Sequence, residues 1–101
     1  MQISPLQSED FITFVKTLEG QEITSRAGKS QFTVSVTHQD FTFIPLSSGK
    51  SRMHQKRFVE KVLDQFNRTH SYVLHDYAKN GIVNATYMLA LIGLYLDQSH
   101  S

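Results

Sequence analysis

The sequence predicts an α+β domain: an amino-terminal helix, a three-stranded antiparallel β-meander, then two helices packed on one face of the sheet. Three observations carry this reading. Apolar residues recur with helical spacing towards both ends of the chain and with period 2 in the middle. Short turns separate the middle segments, so sequence neighbours pair antiparallel. Strands stand beside helices without β-α-β alternation, which argues against a parallel sheet. With 101 residues, 40% of them hydrophobic and 19% charged, the chain reads as one globular domain over residues 1–101.

In the first helix Ser4 can act as cap, with Pro5 at the first helical position and Gln7 completing a Ser-x-x-Gln box. Ser8, followed by the dipole-compatible Glu9 and Asp10, is a second possible start. Phe11, Phe14, Val15 and Leu18 form one apolar stripe, and Gly20 is the natural stop. Three strands follow, over Glu22 to Ser25, Phe32 to Thr37 and Phe41 to Ile44. In the second, Phe32, Val34 and Val36 alternate with Thr33, Ser35 and Thr37, the pattern of a half-buried strand. Gly28 can supply a positive φ to the first connection, and Pro45, with no N–H for a ladder, ends the third strand.

A polar loop, Leu46 to Ser51, leads into a second helix from about Arg52 to Asn67. Phe58, Val59, Val62, Leu63 and Phe66 share one of its faces, and Lys56 and Glu60 pair at i, i+4 on the other. Residues 68–83, with Tyr72, Val73, Leu74 and Tyr77, fit either a short helix or a fourth strand; Asn80-Gly81 marks a turn or a helix stop. Asn84 is a good cap for the last helix, with Val83 and Met88 at the positions of a hydrophobic staple. That helix runs to about Asp97 and is apolar almost all round. Such a helix is either the centre of a fold or half of a subunit interface. Small domains offer little cover, so the expectation is a homodimer with Tyr87, Leu89, Ile92, Tyr95 and Leu96 at the interface.

Composition narrows the function classes. The absence of cysteine excludes disulfides, zinc fingers, iron–sulfur clusters and thiol nucleophiles. No export signal is visible at the amino terminus. The longest apolar run, Ala85 to Leu96, rises about 18 Å as a helix against the roughly 30 Å of a bilayer core. A cytoplasmic protein without a membrane partner is therefore the expectation.

Charge is unevenly spread. Residues 1–22 set Lys16 against Glu9, Asp10, Glu19 and Glu22, a net of −3. Residues 45–70 set Lys50, Arg52, Lys56, Arg57, Lys61 and Arg68 against Glu60 and Asp64, a net of +4 within a whole-chain total of +1. His54 and His70 lie in the positive block and would add to it in acid. Its densest part, from Ser47 to Arg52, precedes the expected second helix, where free N–H groups, small hydroxyl residues and nearby cations would suit a phosphate. The expected anion or nucleic-acid site is thus Ser48, Lys50, Ser51, Arg52, Lys56 and Arg57 at one helix mouth. Solvation of an ordinary surface is the competing explanation of such a run.

Other motifs point elsewhere and fail. Gly49-Lys50-Ser51 matches the end of a phosphate-binding loop, but Ile44 stands where that loop needs glycine, which argues against nucleotide hydrolysis. His70, His75 and Asp76 lack metal-ligand spacing, so neither a metal nor another cofactor is expected. No nucleophile elbow supports a Ser/His/Asp triad, and no catalytic residue is assigned. Asn84-Ala85-Thr86 has the form of a glycosylation site but is better read as a helix start. Tyr72 and Tyr77 could stack on bases or line a pocket.

Gly20-x-x-Ile23-Thr24, Gly28-Lys29-x-x-Phe32-Thr33-Val34 and Pro45-x-Ser47-Ser48-Gly49-Lys50-x-Arg52 resemble segments of small bacterial proteins of the mobile gene-cassette (integron cassette) type, over residues 20–67. The resemblance implies a bacterial accessory protein of no assigned activity and transfers no catalytic residue. The leading expectation is a non-enzymatic module that binds nucleic acid or another phosphate-bearing partner. A homodimeric adaptor using the last helix is the first alternative, and a small-ligand binder with a pocket between sheet and helices the second.

Overall fold

The alternating run in the middle of the chain builds an antiparallel sheet, and the helices cover one face of it. The computed structural model describes residues 6–26, 28, 30–82 and 85–99. Helix α1 (Ser8–Lys16) is followed by strands β1 (Ile23–Thr24), β2 (Gln31–Thr37), β3 (Asp40–Pro45) and β4 (Arg52–His54). Helices α2 (Lys56–Thr69), α3 (Leu74–Ala78) and α4 (Ala85–Ser99) complete the chain. The sheet order is β1-β2-β3-β4, all antiparallel, so the meander has four strands where the sequence predicts three. Arg52-Met53-His54, expected as the start of α2, forms the fourth, with Phe43 opposite Arg52 and Phe41 opposite His54.

The register places Ile23, Phe32, Val34, Phe41 and Phe43 on the inner face, all buried, while Thr33, Ser35, Thr42 and Ile44 alternate outwards. The β2–β3 connection is the two-residue turn His38-Gln39, with φ of 52° and 73°. That is the primed-turn geometry a tight hairpin wants, reached here without glycine. Gly28 has the positive φ expected of it, 73°.

Helix α4 lies on the inner face. Tyr87 stacks on Phe43 (5.2 Å between ring centroids) and meets Phe32 edge-on at 4.8 Å. Further along, Tyr95 meets Phe11 and Phe14 of α1 at 5.8 and 5.2 Å. Val59, Val62, Leu63 and Phe66 of α2 join the same core. Leu6 is tied to α2 through Asn67, whose amide accepts from the Leu6 N–H at 2.7 Å and donates to its carbonyl at 3.1 Å.

Several boundaries differ from the sequence reading. Helix α1 starts at Ser8 with Gln7 as its cap residue, and the expected Ser4 and Pro5 start lies outside the described residues, as do Val83 and Asn84 before α4. Helix α2 runs two residues further than expected and ends on His70 in the left-handed conformation, φ 54°. The ambiguous stretch after it holds the short helix α3, not a strand.

Candidate functional site

Strand direction decides which loops meet. Strand β1 runs into residues 25–30 and β3 into residues 46–51, so both connections lie at one end of the sheet, the loop end. They are joined there by the Leu46 N–H donating to the Gln31 carbonyl at 2.9 Å. Between them lies a groove of about 490 Å³ lined by Thr24, Gly28, Ser30, Gln31, Leu46 and Ser47. Three hydroxyls and an amide face it, which suits a polar or anionic ligand. Ser48, Lys50, Ser51 and Arg52 are all exposed on the bordering loop and the first residue of β4. Gly49 (φ 68°) turns that loop by donating to the Pro45 carbonyl, and the Lys50 N–H donates to Ser48 Oγ at 3.3 Å.

Lys56 and Arg57 belong to the opposite, turn end, together with His38 and Gln39. The single helix mouth expected for all six residues does not form, because β4 intervenes. Asp40 and Pro45 bound β3, a span of about 17 Å at roughly 3.4 Å per residue. Lys50 follows the Pro45 end, whereas the backbone of Lys56 touches the Asp40 end. Helix α2 has no acidic residue in its first turn and no side-chain bond from its own cap Gln55. The carboxylate of Asp40 takes that place, accepting from the Lys56 N–H at 2.8 Å. The helix start proposed as a phosphate seat is thus already answered by an anion of the chain itself.

His54 also departs from expectation. It is buried, with its ring 4.9 Å from Phe43 and 4.2 Å from Phe58, and its Nδ1 has no hydrogen-bond partner. Burial pushes its pKa down to about 4, so it adds no charge to the basic block near neutrality. Within that block Arg68 is paired with Asp64 at 3.5 Å on the exposed side of α2.

The site residue that sequence reasoning missed is Arg26. It leaves β1 at the loop end and lays its guanidinium over the ring of Tyr72, 3.7 Å from the centroid. Burial raises the Tyr72 pKa, Arg26 pulls it down, and Asp97 raises it. On its other side the guanidinium meets α4 at Gly93, where an added Cβ would lie 2.5 Å from Arg26 Nη1. Beside it Arg26, Tyr72, Leu74, Thr86 and Leu89 enclose a mainly apolar pocket of about 180 Å³. A glycine inside an otherwise apolar helix was the available signal, because it marks a close approach of some other group.

So small a chain covers most of this apolar helix itself: the sheet, α1, α2 and α3 pack against α4, Arg26 meets it at Gly93, and Leu94 is left 39% exposed. Tyr87, Leu89 and Ile92, expected at a subunit interface, are buried within the chain, and Tyr95 and Leu96 are half-buried. Three of the five residues expected at an interface are thus core within one chain.

The remaining candidates form a structural corner between α2 and α3. Ser71 Oγ donates to Asp76 Oδ2 at 2.6 Å, and the Tyr77 hydroxyl donates to the Ser71 carbonyl at 2.7 Å. Burial pushes the Tyr77 phenol up to about 12, so it stays a donor. Gln65, buried, donates to the Asp76 carbonyl and accepts from Asn80. His70 and His75 are exposed. Among the described residues no set of three His, Asp or Glu side chains gathers to hold a metal, and no helix is long and apolar enough to cross a membrane. Compared with known proteins, the chain matches no family model, no curated protein and no solved structure.

Proposed function

We propose that this chain is a small non-enzymatic module that binds a phosphate-bearing partner, nucleic acid first, at the loop end of its sheet. The observation that carries the reading is the groove where the two loops meet: Thr24, Ser30 and Ser47 bring hydroxyls to its lining, and Lys50 and Arg52 are exposed further along the loop that supplies Ser47 and on the strand after it. Neither cation has an ion-pair partner among the described residues. Hydroxyls and backbone groups position phosphates, and cations supply most of the attraction. Lys56 and Arg57 play at most an outlying part from the other end of β4. The near-neutral total charge of +1 calls for a local contact and a modest affinity.

Binding of a labelled oligonucleotide, followed by anisotropy across ionic strengths, tests this. Affinity should fall with rising salt, and Lys50→Glu with Arg52→Glu should weaken it about tenfold or more while lowering the salt slope by about 2. Binding that ignores salt, or that survives both charge reversals, would refute the reading.

A further inference from the structure

Arg26 is held in an unusual way. A glycine inside a helix is less favourable than alanine. Nothing in the backbone of α4 demands one: Gly93 is the one glycine in the chain without a positive φ. All three heavy-atom contacts of a Cβ there would be with the Arg26 side chain. What the bare position provides is room for that guanidinium. The cation–π contact with Tyr72 orients the guanidinium in that room. No hydrogen bond or ion pair joins the guanidinium to another described residue, although Asp97 acts on the neighbouring phenol. Among the described residues its donors therefore have no partner, and it lies between the Tyr72 ring and the helix at Gly93.

The apolar pocket beside it, walled by Leu74, Thr86 and Leu89, is too small for a typical ligand of 300–1,000 Å³ but has room for one flat ring system. Leu74 is 49% exposed, so the wall is open to solvent. The turn that carries Arg26 also carries Gly28 and Ser30 of the hydroxyl groove. A phosphate site and an apolar pocket with a positioned guanidinium thus share one turn. Proteins that take single strands hold splayed bases against apolar or aromatic side chains and hydrogen-bond their edges, here the part left to the pocket walls and to the N–H edge of Arg26, and bases inside a duplex are not free to do this.

Resting on the functional reading above, we infer that Arg26 and its pocket receive an unstacked nucleobase of a single strand whose phosphates lie along the groove. The preferred partner is single-stranded nucleic acid. Tyr72 and Gly93 are positioning residues that act through Arg26.

The test compares a single-stranded oligonucleotide, the same strand with abasic sites, and its duplex, by anisotropy at low salt. The single strand should bind about tenfold tighter than either of the others. Gly93→Ala keeps the charge and favours the helix but displaces the guanidinium; Leu74→Gln makes the exposed wall polar without touching the core. Each should bring the three affinities to within about twofold, chiefly by weakening the intact single strand. If Gly93→Ala fails to fold, Leu74→Gln alone decides. Equal, salt-sensitive binding of all three nucleic acids by the unaltered chain overturns this inference and leaves the functional reading standing. A single-strand preference that persists in the variants also overturns it. No binding of any of the three overturns both.

Discussion

Asp40 and Lys50 lie beyond opposite ends of the β3–β4 pairing, and their surroundings differ in kind. At the turn end the charged group is spent on the fold: the Asp40 carboxylate accepts from the first N–H of α2, and His54 next to it is buried between Phe43 and Phe58. At the loop end Lys50 and Arg52 are exposed and have no ion-pair partner among the described residues, on the loop and strand that follow Ser47 of the groove. One contiguous basic stretch of sequence is thus divided by a three-residue strand between two ends of the sheet: at the turn end the backbone of α2 is capped by Asp40 while Lys56 and Arg57 stay exposed, and at the loop end Lys50 and Arg52 are exposed. Charge density along a chain does not measure charge density in space, and an ion answered from within is not available to a ligand.

The contrast can be attacked first at the turn end, where the largest effect is expected. Burial pushes the His54 imidazole down to about 4 in the fold, against the ordinary 6.5 when unfolded. As pH falls below 6.5 the unfolded chain takes the proton first, so stability present above that value drains away down to about pH 4. The full loss is about 3 kcal/mol. Urea denaturation between pH 7 and 4 should show it, and His54→Leu should remove most of that slope; an unchanged slope would mean that His54 is not the group responsible.

Next in size is the cap of α2. Asp40→Ala should cost about 1 kcal/mol by denaturant midpoint, and Asp40→Asn, which keeps an acceptor, less. Equal stability of all three proteins would show that the Lys56 N–H is satisfied by water. A smaller change of opposite sign is expected at the turn itself. Gln39→Gly relieves a left-handed non-glycine residue and should raise stability by roughly 0.5–1 kcal/mol in the same assay. Smallest of all, Arg68→Ala breaks only an exposed i, i+4 pair and should shift the midpoint by less than about 0.5 kcal/mol.

Regular elements were legible where a period repeats often enough to register. Strand β2 shows three clean alternations, and α2 presents two turns of apolar residues, so class, strand direction and the buried Phe32, Val34, Phe41 and Phe43 followed from pattern. Arg52-Met53-His54 is too short for any period, and its β pairing comes from partners in β3, so the local sequence read as a helix start. Helix α3 has five residues and depends on the Ser71 and Gln65 bonds around it. The site was half legible: Ser48, Lys50, Ser51 and Arg52 do share one end of the sheet, while Lys56 and Arg57 do not. Gly93 signalled a close approach to α4 but not by which residue, because Tyr72 and Gly93, which position Arg26, lie 46 and 67 residues further on.

The decisive measurement sets the two ends against each other in one binding assay. Oligonucleotide affinity at low salt is compared for Lys50→Glu with Arg52→Glu and for Lys56→Glu with Arg57→Glu, each pair changing the net charge equally. The loop-end pair should lose about tenfold or more and the turn-end pair no more than about threefold. Equal losses, or a larger loss at the turn end, would contradict the placement of the binding surface.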